Sequence, residues 1–337
     1  MAHPHTQLFL AGDIGGTKVR LGVFEATKGR PVEVVSPQSY PSRSAPDFES
    51  HIEHFLDQHQ IASENLCACF GLAGPVMAGN AKVTNLPWEV SEAGLRKRFA
   101  WTQVHLVNDL VATALAIPVL ASEELAPLNQ AEPAERGHVA VIAAGTGLGK
   151  ALVAVGRHEM VPVASEGGHA DFAPGDPVQM RLWRHLHHRF GHVSQERLLS
   201  GDGLINIYTW LRDAEKLPVA ASVEQALNDP QLEPARIITE NSLARQSAIC
   251  HQTLATFVRI FGAVAGDRAL ETLPWGGVYL AGGIAPKILP ALRQGDFMAA
   301  FCAKGRFDKL MALFPVRVIL NDGAALLGAV RWALMVS

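Results

Sequence analysis

The sequence predicts an α/β protein built as two lobes. A length of 337 residues is too great for one ordinary domain, since roughly 150 residues per domain is usual. Short apolar runs are interleaved with helical patterns, as expected for sheets covered by helices. A strand followed by a glycine-rich turn occurs twice, as Gly12-Asp13-Ile14-Gly15-Gly16-Thr17 and as Ala144-Gly145-Thr146-Gly147-Leu148-Gly149. Hydrophobic residues make up 48% and charged residues 18% of the chain, a balance that excludes general disorder.

The first apolar run, Leu8 to Asp13, and the run Val19 to Phe24 flank the first glycine turn and predict a β-hairpin. Further strands are expected at Leu66 to Leu72, Val104 to Val107, Val139 to Ala144, Ala151 to Val155, Gly277 to Ala281 and Val316 to Leu320. Helical spacing marks Asp47 to His59, Ser91 to Arg98, Val178 to Phe190 and a long segment from about Asn241 to Leu273. In the last of these, Cys250, Leu254, Phe257, Val258, Phe261 and Ala265 share one face, which predicts a core helix. Ser122 to Gly137, rich in Pro, Glu and Ala, suits a crossing between lobes, and Leu217 to Pro234 reads as a surface insertion. The pair Asn108-Asp109 before an Ala-rich helix is echoed by Asn321-Asp322-Gly323-Ala324-Ala325, in the same order relative to its glycine turn. Duplication of a nucleotide-binding lobe would explain the echo; matches this short also arise by chance.

Charge and targeting signals narrow the partners. Lys and Arg number 29 against 32 Asp and Glu, a net charge of -3, and like charges form no long block, so neither nucleic acid nor a membrane surface is an expected partner. The N-terminus lacks the basic run of a secretory signal, and no apolar run approaches the roughly 18 to 20 residues that span a bilayer. A cytoplasmic location is expected. Cys67 and Cys69 lie in an apolar run and are expected to be buried thiols rather than metal ligands or a disulfide.

Several segments combine residue types suited to phosphate and hydroxyl chemistry. In Gly12 to Thr17, consecutive glycines let backbone N–H groups face a polyphosphate, Thr17 adds a hydroxyl and Asp13 at the strand end suits hydrated Mg²⁺. Read alone, the same residues also describe a plain hairpin turn. The second turn, Gly145-Thr146-Gly147, lacks the spacing of a Walker A loop and of a dinucleotide fingerprint. Together the two turns suggest phosphates gripped from two sides. Gly282-Gly283 ends a strand and suits a flat adenine or ribose, or simply a strand-to-helix turn. Asp109 stands with Asn108 where a strand gives way to a helix: either could cap that helix, and a carboxylate there could accept the proton of an alcohol attacking phosphorus. Glu166 and His169 flank two glycines in Ser165 to Phe172 and would offer an acceptor and a donor to neighbouring hydroxyls, and Glu196 offers a further acceptor or is a surface carboxylate. The histidines His185, His187, His188 and His192, with Arg181, Arg184 and Arg189, are explained by a solvated basic face.

Taken in order, Gly12 to Thr17, Leu106 to Ala112, Gly145 to Gly149, Ser165 to Phe172, Glu196 to Gly201 and Leu280 to Ile284 resemble bacterial glucokinases of the hexokinase-like superfamily, over about Leu8 to Trp332. The resemblance implies a two-lobed actin-like ATPase (ribonuclease H-like) α/β fold with a ligand cleft between a small lobe, residues 1–119 plus 318–337, and a large lobe, residues 120–317. It implies transfer of the γ-phosphoryl group of ATP to the 6-hydroxyl of glucose, as the first step of glycolysis. Asp109 would be the general base, and Asn85, Asn108, Asp109, Glu166, His169 and Glu196 would hold the sugar. Asp13 would organise Mg²⁺. Gly12, Asp13, Ile14, Gly15, Gly16, Thr17, Gly145, Thr146 and Gly147 would surround the phosphates, with Gly282 and Gly283 near the adenosine. A cytoplasmic homodimer acting on glucose and MgATP is the implied form.

Lys18 and Lys150 depart from the pattern of the relatives, which often carry Asn at the first position and a neutral or acidic residue at the second. Both are expected to add positive charge beside the phosphates. A broader-specificity hexokinase is the alternative activity. A sugar-responsive regulator on the same fold is disfavoured, because only seven residues precede Leu8 and no C-x-C-G pattern follows His169. A filament-forming or chaperone-like ATPase would need no sugar pocket.

Overall fold

The computed structural model describes residues 7–27, 30–63, 66–156 and 160–336. The chain separates into two compact units, one formed by Met1–Glu124, Val161–Ala164 and Asn321–Ser337, the other by Leu125–Met160 and Ser165–Leu320.

In the first unit, strand β1 (Leu8–Ile14) forms the expected antiparallel hairpin with β2 (Lys18–Thr27), which pairs in turn with β3 (Arg30–Pro41). On its other edge β1 runs parallel to β4 (Leu66–Leu72), and β4 parallel to β8 (Gln103–Asn108), giving the order β3-β2-β1-β4-β8. Every residue of β4 is buried, which is why its sequence reads as an unbroken apolar run: parallel strands are covered on both faces. Cys67 and Cys69 lie inside that strand outside any disulfide, and burial pushes the Cys69 thiol well up from its ordinary value. Strands β5 (Val76–Met77), β6 (Asn80–Lys82) and β7 (Glu89–Ser91) form a separate small antiparallel sheet.

Helix Phe48–Gln58 begins where the Asp47 carboxylate accepts from Ser50 N at 2.8 Å, a side-chain N-cap. Its Phe48 ring meets Phe70 of β4 edge to face at 4.9 Å. Helices Asp109–Ala116 and Ala324–Val336 pack against each other and against the sheet. Their approach depends on Gly328: a Cβ there would lie 1.6 Å from the Ala112 carbonyl oxygen.

The second unit contains β9 (Leu125–Pro127), β10 (Val139–Ala144), β11 (Leu148–Val155), β13 (Gly277–Ala281) and β14 (Val316–Ile319); β12 (Met160–Ser165) lies mostly in the first unit. Strands β10 and β11 form an antiparallel hairpin, β10 runs parallel to β13 and β13 to β14. The order β11-β10-β13-β14 therefore repeats the order β2-β1-β4-β8, with a glycine turn inside each hairpin. The echo in the sequence is an echo of topology.

The long helical segment expected from 241 to 273 is two helices, Pro234–Leu243 and Ala248–Thr272. Arg245 takes a left-handed conformation with φ of 55° between them, and Ser247 caps the second by accepting from Cys250 N. Ala248–Thr272 has the length and apolarity to cross a membrane, but Leu254, Phe257, Phe261 and Val264 are buried in the core of the unit. The expected insertion at 217–234 holds a short helix, Ala221–Leu227, anchored by buried Val223.

Replacing Gly by Ala in an exposed helix stabilises it by about 1 kcal/mol. Gly328→Ala is expected to do the opposite and destabilise the protein by about 1–3 kcal/mol, the cost of overpacking, as read from urea unfolding midpoints.

Candidate active site

The first unit gathers its candidate residues where β1, β4 and β8 end together, since Ile14 pairs with Leu72 and Leu72 with Asn108. The turn after β1 is closed by Gly15 N donating to Lys18 O at 2.9 Å, and is braced by Ser42 Oγ donating to Gly15 O at 2.8 Å. Gly16 and Thr17 stand at its tip. Asn85, in a left-handed conformation with φ of 65°, lies against the turn: a Cβ on Gly16 would be 3.4 Å from Asn85 Cβ.

Asn108 is a helix cap, as the sequence allowed. Its Oδ1 accepts from Leu110 N at 3.1 Å and Val111 N at 3.2 Å, and its Nδ2 donates to Gly74 O at 3.2 Å. Asp109 opens the helix, half-buried, with Oδ1 accepting from Leu110 N at 2.8 Å. The Asn108 cap thus fixes the backbone from which the Asp109 carboxylate projects.

Asp13 faces Arg20 across the hairpin, and the Arg20 guanidinium pairs with Asp322 at 3.0 Å. Burial pushes the Asp13 carboxyl from 3.8 up to about 6; Arg20 opposes the rise and Asp322 adds to it. Two neighbouring carboxylates with one shared guanidinium form a site that a cation would relieve, and hard carboxylate oxygens suit Mg²⁺. Among the described residues no cluster of three or more His, Cys, Asp or Glu side chains forms a metal cage. Asp13 fits an ion that keeps its waters and arrives with phosphates. The sequence reading missed Arg20 and the pairing role of Asp322. The available signals were Arg20 at a cross-strand position to Asp13, and Asp322 in the echo of Asn108-Asp109.

The second unit brings its candidates together more tightly. The Gly145-Thr146-Gly147 turn is closed by Gly145 N donating to Gly147 O at 2.9 Å. Glu196 Oε2 accepts from Leu148 N at 2.8 Å and lies where a Gly147 Cβ would come within 2.5 Å of it, so a side chain at 147 would push this carboxylate off the Leu148 amide. The other Glu196 oxygen is 3.9 Å from His169 Nδ1. His169 sits on a 3-10 turn, Gly167–His169, that follows Glu166 and is held by His169 N donating to Glu166 O at 3.0 Å. Glu166 and His169 are both exposed. Gly282, with φ of +80°, packs on Ala144, and Ile284 N donates to Ala144 O at 3.1 Å, which sets Gly282-Gly283 beside the Gly145 turn.

Lys18 is exposed at the start of β2. Lys150 departs from expectation. It follows the turn on β11, but its side chain faces inward, is 6% exposed, and donates from Nζ to Gln195 Oε1 at 2.5 Å. Burial lowers its pKa, opposed by Glu271 and Asp267 and aided by Arg268. The lysine stem lies against Gly167 and its ammonium is held by Gln195, which keeps the side chain inside.

The glucokinase family model matches residues 10–335. The chain belongs to the glucokinase family. It is 36% identical to the glucokinase of Nostoc punctiforme over 333 residues, covering 96% of this chain and 97% of that one. To the glucokinase of Synechocystis it is 38% identical over 344 residues, covering 95% and 96%. A crystal structure of glucokinase from an Antarctic psychrotroph superimposes with a TM-score of 0.82 at 27% identity, covering 98% and 99% of the two chains. The fold is accordingly the α/β fold of the actin-like sugar kinases, and the protein is an ATP-dependent hexose kinase. Membership in the glucokinase family favours a kinase over a regulator or a sugar-independent ATPase.

The raised pKa of Asp13 has a definite sign. Its stabilising share is complete below about pH 4 and is lost as pH rises through about 6. In protein free of nucleotide and metal, the stability of Asp13→Asn relative to the parent is expected to grow by about 2–3 kcal/mol between pH 4 and pH 7, measured by denaturant unfolding across that range.

Proposed function

We propose that this glucokinase transfers the γ-phosphoryl group of ATP to the 6-hydroxyl of D-glucose, giving glucose 6-phosphate and ADP, the opening step of glycolysis. The observation that carries the assignment of residues is the position of Glu196. One of its oxygens anchors the amide after the Gly-Thr-Gly turn and the other lies near His169, so the turn expected for phosphate and the residues expected for sugar meet on one carboxylate.

In this reading Glu166, His169 and Glu196, with Asn85 and Asn108, hold glucose hydroxyls. Polar acceptors fixed by the backbone discriminate strongly, because a missing or inverted hydroxyl leaves one of them unpaired. Backbone N–H groups of Gly15 to Thr17 and Gly145 to Gly147 donate to phosphate oxygens, and Gly282-Gly283 leaves room for the adenosine. Asp109 accepts the proton of the 6-hydroxyl as its oxygen attacks the γ-phosphorus, and ADP leaves. Asp13 would hold Mg²⁺, which neutralises phosphate charge when bound. The two carboxylates divide the work: Asp109 handles the proton and Asp13 the cation. We infer a cytoplasmic homodimer that binds neither nucleic acid nor membrane, in keeping with the near-neutral charge.

ADP release from MgATP is expected to require the sugar, with glucose preferred in a panel of hexoses. Asp109→Ala is expected to lower kcat by about 10²-fold or more, the scale of a lost general base, with KM for ATP within a few-fold of the parent. Near-normal turnover in that variant would remove Asp109 from its role.

A further inference from the structure

Lys150 is a buried cation with no part in the phosphate or sugar contacts assigned above. Its stem lies under the Glu166–His169 turn: a Cβ on Gly167 would be 3.1 Å from Lys150 Cδ. Its ammonium donates to Gln195 Oε1 at 2.5 Å, and Gln195 is itself 9% exposed. Gln195 is stitched back to the same segment, with its backbone N donating to Ala170 O at 2.9 Å and its Nε2 donating to Asp171 O at 3.3 Å. The residue that follows Gln195 is Glu196.

Lys150 thus touches both segments that carry Glu166, His169 and Glu196. Burying an ammonium costs free energy, and replacing a buried polar pair by apolar groups of similar volume is often neutral or stabilising. Stability therefore does not explain a lysine at this position. What the side chain does supply is a fixed distance between the 166–169 turn and the 195–197 turn, because its stem packs on one and its charge is held by the other.

We propose that Lys150 is a positioning residue that tethers, through Gln195, the two turns presenting Glu166, His169 and Glu196, and so sets the spacing at which glucose hydroxyls are recognised. The proposal rests on the assignment of those three residues to the sugar. A tether of this kind acts on glucose binding and leaves the reacting groups and the nucleotide alone.

The test is steady-state ADP release by the full-length enzyme, with glucose and ATP varied in turn. The variants are Lys150→Met, the double variant Lys150→Met/Gln195→Met, and Glu166→Gln as the reference for sugar binding. Lys150→Met is expected to raise KM for glucose about tenfold, roughly 1.4 kcal/mol of binding, with kcat and KM for ATP within about twofold of the parent. The double variant removes the whole polar pair and the Gln195 bond to Asp171 O, leaves no buried charge, and is expected to raise KM for glucose at least as much as Lys150→Met. It also carries the test should Lys150→Met alone fail to fold. A glucose KM within about twofold of the parent, or an equal rise in KM for ATP, would overturn the proposal even if the melting temperature fell. With Glu166→Gln raising glucose KM strongly, such a result sinks the tether alone. With Glu166→Gln also silent, the sugar assignment has failed and the tether falls with it.

Discussion

The Glu196 carboxylate occupies the space that a side chain at position 147 would need, and accepts the hydrogen bond of the Leu148 amide at 2.8 Å. Much of the geometry of the second unit's candidate site follows from that contact. It leaves no room for a side chain at 147 while the carboxylate stays in place, pins the turn at the end of β10, and holds Glu196 with its remaining oxygen turned toward His169. An acceptor held by the backbone loses little freedom on binding a hydroxyl, which is the physical content of preorganisation. The neighbouring Gln195 is buried by the same geometry and becomes the partner of Lys150.

The two units use one plan for different ends. Each has a hairpin with glycines in its bend, followed by parallel strands in the same order. In the first unit the strand ends carry carboxylates, and one of them is kept in an uncomfortable state. Asp13 is crowded by protein and by Asp322, and Arg20 is shared between them. A cation brought by a phosphate ligand would relieve such crowding, and would couple binding to charge compensation. In the second unit the corresponding turn has no such carboxylate in its own strand and depends on Glu196 from a distant segment.

Much of this was legible in the sequence because it rests on local signals. The β1–β2 hairpin, β4 and the β10–β11 hairpin show up as apolar runs around glycine turns, and the ordered motifs carried the family resemblance. Other features had no local signal. Strand β3 carries Pro31, Pro37 and Pro41, which read as loop residues yet are tolerated in a strand at the sheet's edge. Strands β5 to β7 have two or three residues each, too few to show a period. The break at Arg245 uses a left-handed arginine where neither glycine nor proline announces it. Lys150 was expected to join the phosphates because it follows a glycine turn, whereas the partner Gln195, 45 residues away, holds it inward. Asn108 carried two readings, and its capping bonds are the ones the fold displays.

The most direct test of this account is a crystal structure of the protein with glucose and a non-hydrolysable ATP analogue. The account requires an Asp109 carboxylate oxygen within hydrogen-bond reach, about 2.6–3.2 Å, of the glucose 6-hydroxyl, with Glu196 still holding the Leu148 amide while it accepts from the sugar. A 6-hydroxyl beyond the reach of Asp109, or glucose held by residues other than Glu166, His169 and Glu196, would contradict it.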